Sequence, residues 1–312
     1  MSTQPVILVT GADLAPQALA LLSDFEVVFA GKTPQLSDVA ALARQHNPVG
    51  IIVRYSGVNA EVMDAAPALR VISKHGSGTD TIDKAAAAAR GIVVTAAVGA
   101  NAAAVAEQAM AMLLACAKSV VQLNARMHDG HWDKATHKSL ELGGRTVGLV
   151  GLGAIGLRFA TMAHAMGMHV IGFDPFAKNL PEYVTAVDLA TIWSEADAIS
   201  LHCPLTPENK GLLNAETLAR CKPGVIVVNT ARGGLIDEPA LLAAVQSGQV
   251  GMAALDSFCV EPMSHPHIFH HQPGFVLSPH IGGVTSDAYV NMGVAAARNT
   301  LDALKTLVSA IH

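Results

Sequence analysis

The chain has 312 residues, of which 51% are hydrophobic and 14% are charged, and its formal net charge is −5 at pH 7. This length allows two domains with a large buried core, and the composition excludes an intrinsically disordered chain. A mildly acidic protein with a pI near 6.2 offers no electrostatic footprint for nucleic acid or for an anionic membrane surface, so we expect neither as a partner.

The first third of the chain alternates short apolar runs with helical patterns, which is typical of a buried parallel sheet with crossover helices. Strands are predicted at residues 6–9, 26–29, 50–53, 71–72 and 92–94, and helices at residues 16–22, 36–46, 59–65 and 84–90. This stretch contains no glycine fingerprint of its own. We therefore predict a first domain of flavodoxin-like type.

Two long helical patterns follow, one before and one after a second series of strands. Residues 101–121 are rich in Ala, Met and Leu but include Glu107, Gln108 and Lys118, so we expect a buried helix and not a membrane span. The amphipathic pattern from 285 to 311 has no place in the second sheet and is predicted to return to the first domain. No secretory signal is visible at the N-terminus and the four cysteines are widely spaced, which indicates a cytoplasmic protein.

The second series of strands begins with residues 147–156, an apolar strand that runs into Gly-x-Gly-x-x-Gly at Gly151, Gly153 and Gly156. The first glycine permits a tight turn, the second lets a pyrophosphate approach the backbone, and the third lets helix and strand pack closely. Asp174 ends the next strand, 18 residues beyond Gly156, where a ribose-binding carboxylate belongs. The acid favours NAD, although nearby Lys178 leaves NADP as an alternative.

Three polar residues follow the later strands of the second sheet, and the carboxyl ends of such strands are where ligands bind. Arg232 follows a strand at 225–229, Glu261 follows one at 251–255, and His280 follows one at 276–277. Arginine suits a substrate carboxylate, histidine can pass a proton to a carbonyl oxygen, and a carboxylate orients the imidazole and favours its protonated form. With a nicotinamide as hydride source, these residues predict a dehydrogenase for 2-hydroxy acids and 2-oxo acids.

Ordered motifs over nearly the whole chain resemble those of the D-isomer-specific 2-hydroxyacid dehydrogenase family, and within it most closely those of the D-3-phosphoglycerate dehydrogenases. The motifs that carry this resemblance are His75-Gly-Ser-Gly-Thr-Asp-Thr-Ile-Asp83, Ala104-Val-Ala-Glu107, Gly151 to Gly156, Leu201-His-Cys-Pro-Leu-Thr206, Asn229-Thr-Ala-Arg-Gly-Gly-Leu-Ile-Asp237, Ala254-Leu-Asp-Ser-Phe258, Glu261-Pro262 and Ser278-Pro-His-Ile-Gly-Gly283.

The resemblance implies a fold, a cofactor and a set of site residues. It implies a split flavodoxin-like substrate domain, residues 1–98 plus 286–312, around a Rossmann NAD-binding domain at 99–285, and a homodimer. Arg232, Glu261 and His280 match catalytic positions, and Arg54, Lys74, His75 and Gly76 match substrate-binding positions. Expected cofactor-binding residues are Gly151, Gly153, Ala154, Ile155, Gly156, Asp174, Pro204, Thr230, Ala231, Asp256, Gly282 and Gly283, with Asp256 near the nicotinamide carboxamide.

Departures from the family pattern leave the 2-hydroxy acid open. Lys74 stands where the phosphoglycerate enzymes usually carry Arg, and His75 stands where a small residue is usual. A glyoxylate or hydroxypyruvate reductase is therefore the alternative enzyme, while Glu261, in place of glutamine, argues against formate as substrate. The alternative of another class is an NAD-sensing corepressor or scaffold with little turnover.

Four histidines close together, at 265, 267, 270 and 271, raise the question of a metal site. Pro266 and Pro273 make the stretch a loop, and no acid or cysteine completes a regular ligand spacing. We therefore expect no metal.

Overall fold

The structure, a computed structural model, describes residues 4–309 and divides into two compact units. Unit 1 contains the chain up to Asn101 and again from Val284, and unit 2 contains Ala102–Gly283. Residues 1–3 and 310–312, which the sequence prediction assigned to the split domain, lie outside the described residues.

Unit 1 is a five-stranded parallel sheet with helices between its strands. The strands are β1 (Val6–Val9), β2 (Glu26–Phe29), β3 (Gly50–Val53), β4 (Val71–Lys74) and β5 (Val93–Ala96), and their order in the sheet is β2-β1-β3-β4-β5. The helices are α1 (Pro16–Leu21), α2 (Leu36–His46), α3 (Ala60–Asp64) and α4 (Lys84–Ala89). This strand order is that of flavodoxin-like sheets.

Unit 2 is a larger parallel sheet of seven strands. They are β6 (Thr146–Val150), β7 (His169–Phe173), β8 (Val184–Ala186), β9 (Ala198–Leu201), β10 (Val225–Asn229), β11 (Val250–Leu255) and β12 (Phe275–Leu277), in the order β12-β11-β10-β9-β6-β7-β8. Its helices are α5 (Ala102–Lys118), α6 (Val120–His128), α7 (Ala154–Ala165), α8 (Leu189–Glu195), α9 (Ala215–Ala219) and α10 (Glu238–Ser247). The last helix of the chain, α11 (Ser286–Ser309), belongs to unit 1.

Both sheets are covered on their two faces, as parallel strands require. In unit 1, Leu8 of β1 packs with α2 and α3, while Ile7 and Val9 point to the other face and pack with α1 and α11. In unit 2, Val147 and Leu149 of β6 pack with α5 and α7, while Val150 belongs to a second cluster, which contains residues of α8, α9 and α10. The fully buried strands explain why the sequence shows continuous apolar runs in place of alternation. The predicted α/β class with parallel sheets is confirmed.

The long helix predicted for residues 101–121 differs from the observed one. The observed helix α5 ends at Lys118, and Ser119 adopts a left-handed conformation with φ of +51°. Helix α6 then continues at an angle of 60° to α5. The two helices differ in burial: α5 is largely buried, whereas α6 has no buried residue. Within residues 4–309 no single helix has the length and hydropathy of a membrane span, and α5 and α6 meet that test only when taken together.

Candidate active site

The glycine-rich turn lies after β6, where the strand order of unit 2 reverses between β6 and β9. Gly151 has a φ of +99°, and a Cβ there would lie 2.6 Å from the carbonyl carbon of His202. A Cβ on Gly156 would lie 2.1 Å from the carbonyl oxygen of Gly151. A Cβ on Gly153, by contrast, would meet no atom within 4 Å, so the space in front of this residue is open. Gly151 and Gly156 are thus required by close packing of the backbone. The absence of a side chain at Gly153 leaves the N-terminus of α7 accessible to a ligand.

Asp174 stands beside this turn, immediately after β7. Its Oδ2 accepts a hydrogen bond from the Leu152 N–H at 2.9 Å, and its Oδ1 accepts one from the Phe176 N–H at 2.8 Å. Each carboxylate oxygen can accept a further hydrogen bond. The half-buried acid is therefore held in place with capacity left for ribose hydroxyls.

The other predicted cofactor residues lie at the same carboxyl edge of the sheet. Ala154 and Ile155 begin α7, Pro204 is exposed after β9, and Thr230 and Ala231 follow β10. Thr230 is 7% exposed, and its Oγ1 has no hydrogen-bond partner among the described residues. A buried hydroxyl without a partner is costly, so its position fits contact with a bound molecule. The open space at Gly153 and the acid at Asp174 fit a dinucleotide in the same way.

His280 and Glu261 form a hydrogen-bonded pair. The Nδ1 of His280 lies 2.6 Å from Oε2 of Glu261, and Oε1 of Glu261 accepts a hydrogen bond from the Phe258 N–H at 2.9 Å. The carboxylate is thereby fixed on one side and holds the imidazole on the other, which leaves Nε2 of His280 as the second ring nitrogen. Both side chains are partly exposed, 46% for His280 and 34% for Glu261, so the pair is accessible.

The turn that carries His280 is organised by Asp256. This residue follows β11, is 1% exposed, and accepts hydrogen bonds from the Ser278 hydroxyl at 2.5 Å, the Ile281 N–H at 2.9 Å and the Gly282 N–H at 2.8 Å. A Cβ on Gly282 would come within 2.9 Å of Oδ2 of Asp256. His280 itself has a φ of +54°. The expected contact of Asp256 with a nicotinamide carboxamide stays a prediction.

Arg232 is held at the end of β10 by the residue that closes the strand. The side-chain amide of Asn229 donates to the Arg232 carbonyl at 2.9 Å, and its oxygen accepts from the Ala231 N–H at 3.0 Å. A Cβ on Gly233 would lie 1.9 Å from the carbonyl carbon of Phe258. The turn that carries Arg232 therefore packs against the backbone of Phe258, whose N–H binds Glu261. The segments that carry the three predicted catalytic residues thus lie at neighbouring strand ends.

In unit 1, the predicted substrate-binding residues follow β3 and β4. The side chain of Arg54 is 8% exposed and pairs with Asp13. Lys74 ends β4, and its Nζ donates to the Arg54 carbonyl at 2.9 Å. His75 is 9% exposed, its Nε2 has no hydrogen-bond partner among the described residues, and burial lowers its pKa to about 4. Gly76 follows in a left-handed conformation with φ of +141°.

Reasoning from sequence assigned no role of their own to four residues that shape these sites. They are Asn229, Ser278, Asp13 and Tyr289, whose hydroxyl donates to Asp13. Asn229 had a detectable signal, because an Asn at a strand end often hydrogen-bonds the backbone two residues on. The pairing of Asp13 with Arg54 and of Ser278 with Asp256 joins distant segments, and no local pattern indicates it.

The histidine-rich loop does not form a ligand cluster in the described part of the chain. His267 lies 3.4 Å from Glu238, and the rings of His265 and His270 lie 5.1 Å apart. No group of three or more His, Cys, Asp or Glu side chains between residues 4 and 309 is placed to hold a metal ion.

An α/β protein with a glycine turn and an acid at its switch point, and a histidine–carboxylate pair at the same sheet edge, is of the dinucleotide-binding class. The family model described as D-isomer specific 2-hydroxyacid dehydrogenase, NAD binding domain, matches residues 110–282. The chain belongs to this family of 2-hydroxyacid dehydrogenases.

Relatives and solved structures agree with this assignment. The chain is 37% identical over 303 residues to the D-3-phosphoglycerate dehydrogenase of Mycobacterium leprae, covering 96% of this chain and 57% of the relative. It is 39% identical over 276 residues to that of Rattus norvegicus, covering 86% and 51%. The chain thus spans about half the length of these curated relatives.

Two solved structures match almost end to end. A protein of Thermus thermophilus is 37% identical, with a TM-score of 0.88 and coverage of 96% of this chain and 97% of that one. A glyoxylate reductase from Paecilomyes thermophila is 26% identical, with a TM-score of 0.85 and coverage of 97% and 96%.

Proposed function

We propose that the protein is an NAD-dependent oxidoreductase that interconverts a D-2-hydroxy acid and its 2-oxo acid. The observation that carries this proposal is the hydrogen bond between Nδ1 of His280 and Glu261, which presents an oriented imidazole at the same sheet edge as the glycine turn. The D configuration follows from family membership.

In the reducing direction, each residue has a separate task. Arg232 binds the substrate carboxylate and polarises the adjacent carbonyl. Nε2 of His280 donates a proton to the carbonyl oxygen, and Glu261 fixes the ring in the required orientation. When bound, NADH supplies the hydride that attacks the carbonyl carbon. The product is the 2-hydroxy acid, and the reverse direction uses the same groups with His280 as the base.

The test is loss of NADH absorbance with a panel of 2-oxo acids. The wild type should turn over at least one of them, and His280→Ala should lose about a hundredfold or more in kcat. The exposed His169→Ala variant, at the amino end of β7 and therefore at the opposite edge of the same sheet, is the matched control and should keep full activity. Near-wild-type turnover of His280→Ala at saturating NADH would show that the proton donor is wrongly assigned.

Asp174 is proposed to select NAD over NADP, since a carboxylate accepts from the ribose 2′-hydroxyl and repels a 2′-phosphate. Asp174→Ser should lower kcat/KM with NADH and raise it with NADPH. The ratio of kcat/KM for NADH to that for NADPH should therefore fall by about tenfold or more. The control is Asp188→Ser, an acid of the same unit at the N-terminus of α8. If Asp174→Ser has the same ratio of kcat/KM values for NADH and NADPH as the wild type, this role is contradicted.

Two substrates are candidates. The identity of 37–40% to proteins named D-3-phosphoglycerate dehydrogenase favours 3-phosphoglycerate with its 2-oxo acid, phosphohydroxypyruvate. A glyoxylate or hydroxypyruvate reductase is the second candidate, and the observation that favours it is the engagement of Arg54 by Asp13. Comparison of phosphohydroxypyruvate, hydroxypyruvate and glyoxylate on one preparation distinguishes them.

The rival of another class is an NAD-sensing corepressor or scaffold. The complete set of Arg232, Glu261 and His280 counts against it, because a sensor with little turnover has no need of an oriented proton donor. Binding of NAD without turnover of any 2-oxo acid would favour the rival.

We also propose a homodimer in the cytoplasm. Helix α6 has no buried residue, and Val120, Val121, Met127 and Trp132 are each at least half exposed, which supports an interface with a second copy. Four unpaired cysteines, at 116, 203, 221 and 259, are consistent with a reducing compartment. Light scattering on the wild type and on Val121→Lys tests the dimer: a monomeric wild type would contradict it.

A further inference from the structure

Unit 1 carries charged side chains at the place in its sheet where the strand order reverses. β1 and β3 are neighbours, with β2 on one side and β4 and β5 on the other. In doubly wound sheets, ligands bind beyond the carboxyl ends of the two strands that flank such a reversal. Asp13 lies in the segment after β1 and Arg54 follows β3 directly, so both stand at that place.

The guanidinium of Arg54 is engaged by groups of its own unit. It donates to the carboxylate of Asp13 and, at 2.6 Å, to the Asp13 carbonyl, and it donates to the Tyr55 hydroxyl at 3.0 Å. The rings of Tyr55 and Tyr289 lie 4.9 and 5.0 Å from its central carbon, within the range of cation–π contact. The cation is thus enclosed by partners before any ligand arrives.

The exposed part of this ion pair is its acid. The side chain of Asp13 is 67% exposed, against 8% for Arg54, and Tyr55 is 65% exposed. A molecule that approaches the switch point therefore meets a carboxylate and a phenol, and the guanidinium lies behind them.

The groups next to this ion pair do not add a strong binding site for an anion. Burial lowers the pKa of His75 to about 4, so the ring is neutral near pH 7. Lys74 directs its ammonium to the Arg54 carbonyl, and the Tyr289 hydroxyl donates to Oδ1 of Asp13 at 3.1 Å. The hydrogen bond from Arg54 lowers the pKa of Asp13, so its carboxylate is ionised at neutral pH.

We propose that Asp13 is a specificity-determining residue that disfavours a phosphorylated substrate tail and selects a 2-oxo acid whose tail is short or carries a neutral hydroxyl. The inference rests on the proposed dehydrogenase function and on unit 1 as the substrate-binding unit. A phosphate dianion beside Asp13 is repelled and finds Arg54 already engaged, whereas a hydroxyl can donate to the carboxylate. Hydroxypyruvate fits this description, and phosphohydroxypyruvate does not.

The experiment compares kcat/KM for phosphohydroxypyruvate and hydroxypyruvate, with saturating NADH, in the wild type, Asp13→Asn and Asp64→Asn. Asp64 is the matched control because it pairs with Arg90 in the same unit and has a similarly exposed side chain of 64%. The wild type should prefer hydroxypyruvate. Asp13→Asn should raise kcat/KM for the phosphorylated acid by about tenfold or more relative to hydroxypyruvate, because a like charge is removed and Arg54 is released. Asp13→Ser repeats the test if the first variant folds poorly.

A wild type that prefers phosphohydroxypyruvate, or a substrate ratio that Asp13→Asn leaves unchanged, overturns the inference and leaves the dehydrogenase function intact. Absence of turnover with every acid in the wild type instead contradicts the proposed function. In that case calorimetric titration of 3-phosphoglycerate in the presence of NAD decides the inference. Tighter binding to Asp13→Asn than to the wild type supports the role of Asp13, and equal binding overturns it.

Discussion

Asp256 fixes the backbone of Gly282 with a hydrogen bond of 2.8 Å between its Oδ2 and the Gly282 N–H, and the same carboxylate accepts from Ser278 and Ile281. His280 lies between these donors, in a left-handed conformation that L-residues adopt at a cost. The orientation of the proposed proton donor therefore depends on an acid that is buried beneath its turn.

Asp256→Ala should lower both stability and activity. Three donors lose their acceptor, which costs about 2–4 kcal/mol of unfolding free energy, and the turn that carries His280 loosens. Urea unfolding and kcat on the same preparation measure the two effects. Asp188→Ala, which removes the N-cap of α8 and should cost about 1 kcal/mol, is the control. Full activity of Asp256→Ala under conditions where it is folded would contradict the positioning role.

Glu261→Gln should lower kcat about tenfold to a hundredfold, while binding of NADH is unaffected. The amide keeps an oxygen for the Phe258 N–H, but it no longer stabilises the charged imidazole of His280. Kinetics together with NADH fluorescence titration separate the two effects. Glu238→Gln alters a second histidine–carboxylate pair, with His267, and should leave kcat within about twofold of wild type. Equal losses in both variants would argue against a specific role for Glu261.

Acidification should destabilise unit 1 through His75. Its folded pKa of about 4 lies below the ordinary 6.5, so the unfolded chain binds a proton that the folded protein does not. The contribution of His75 to the free energy of unfolding is therefore fully present above about pH 6.5. It is lost as the pH falls toward 4, and the loss is at most about 3 kcal/mol. Urea midpoints at several pH values should fall less steeply in His75→Gln than in the wild type. If the urea midpoints of the wild type and His75→Gln fall equally steeply with decreasing pH, this role of His75 is contradicted.

Cys259 should react slowly with iodoacetamide at neutral pH despite its exposure. Partial burial of the thiol and the nearby charge of Glu238 raise its pKa to about 11. Glu238→Gln removes that negative charge, so the pKa should fall and alkylation should become about two- to fivefold faster. Mass spectrometry of the labelled peptide gives the rate. Glu216→Gln, whose partner is Arg220, is the control and should react as the wild type does.

Local patterns in the chain were sufficient for the strands and for the chemistry at their ends. β1, β2, β3 and β10 have the bounds predicted from the sequence, because the strands of a parallel sheet that is covered on both faces are largely apolar. The short strand β8 escaped prediction because two of its three residues are exposed, so its sequence lacks that signal. The break at Ser119 was missed because no glycine or proline marks it in the sequence.

The sequence by itself determined the class of fold, the glycine turn with its acid at Asp174, and the candidates Arg232, Glu261 and His280, since each depends on residue type and spacing along the chain. Only the tertiary structure decided which groups meet. The bond between His280 and Glu261, the burial of Asp256 beneath the histidine turn, and the pairing of Arg54 with Asp13 all join separate segments. Hydrogen bonds and ion pairs act over a few ångströms in space, whereas a sequence records distance along the chain, so these relationships become visible only when the strands lie side by side.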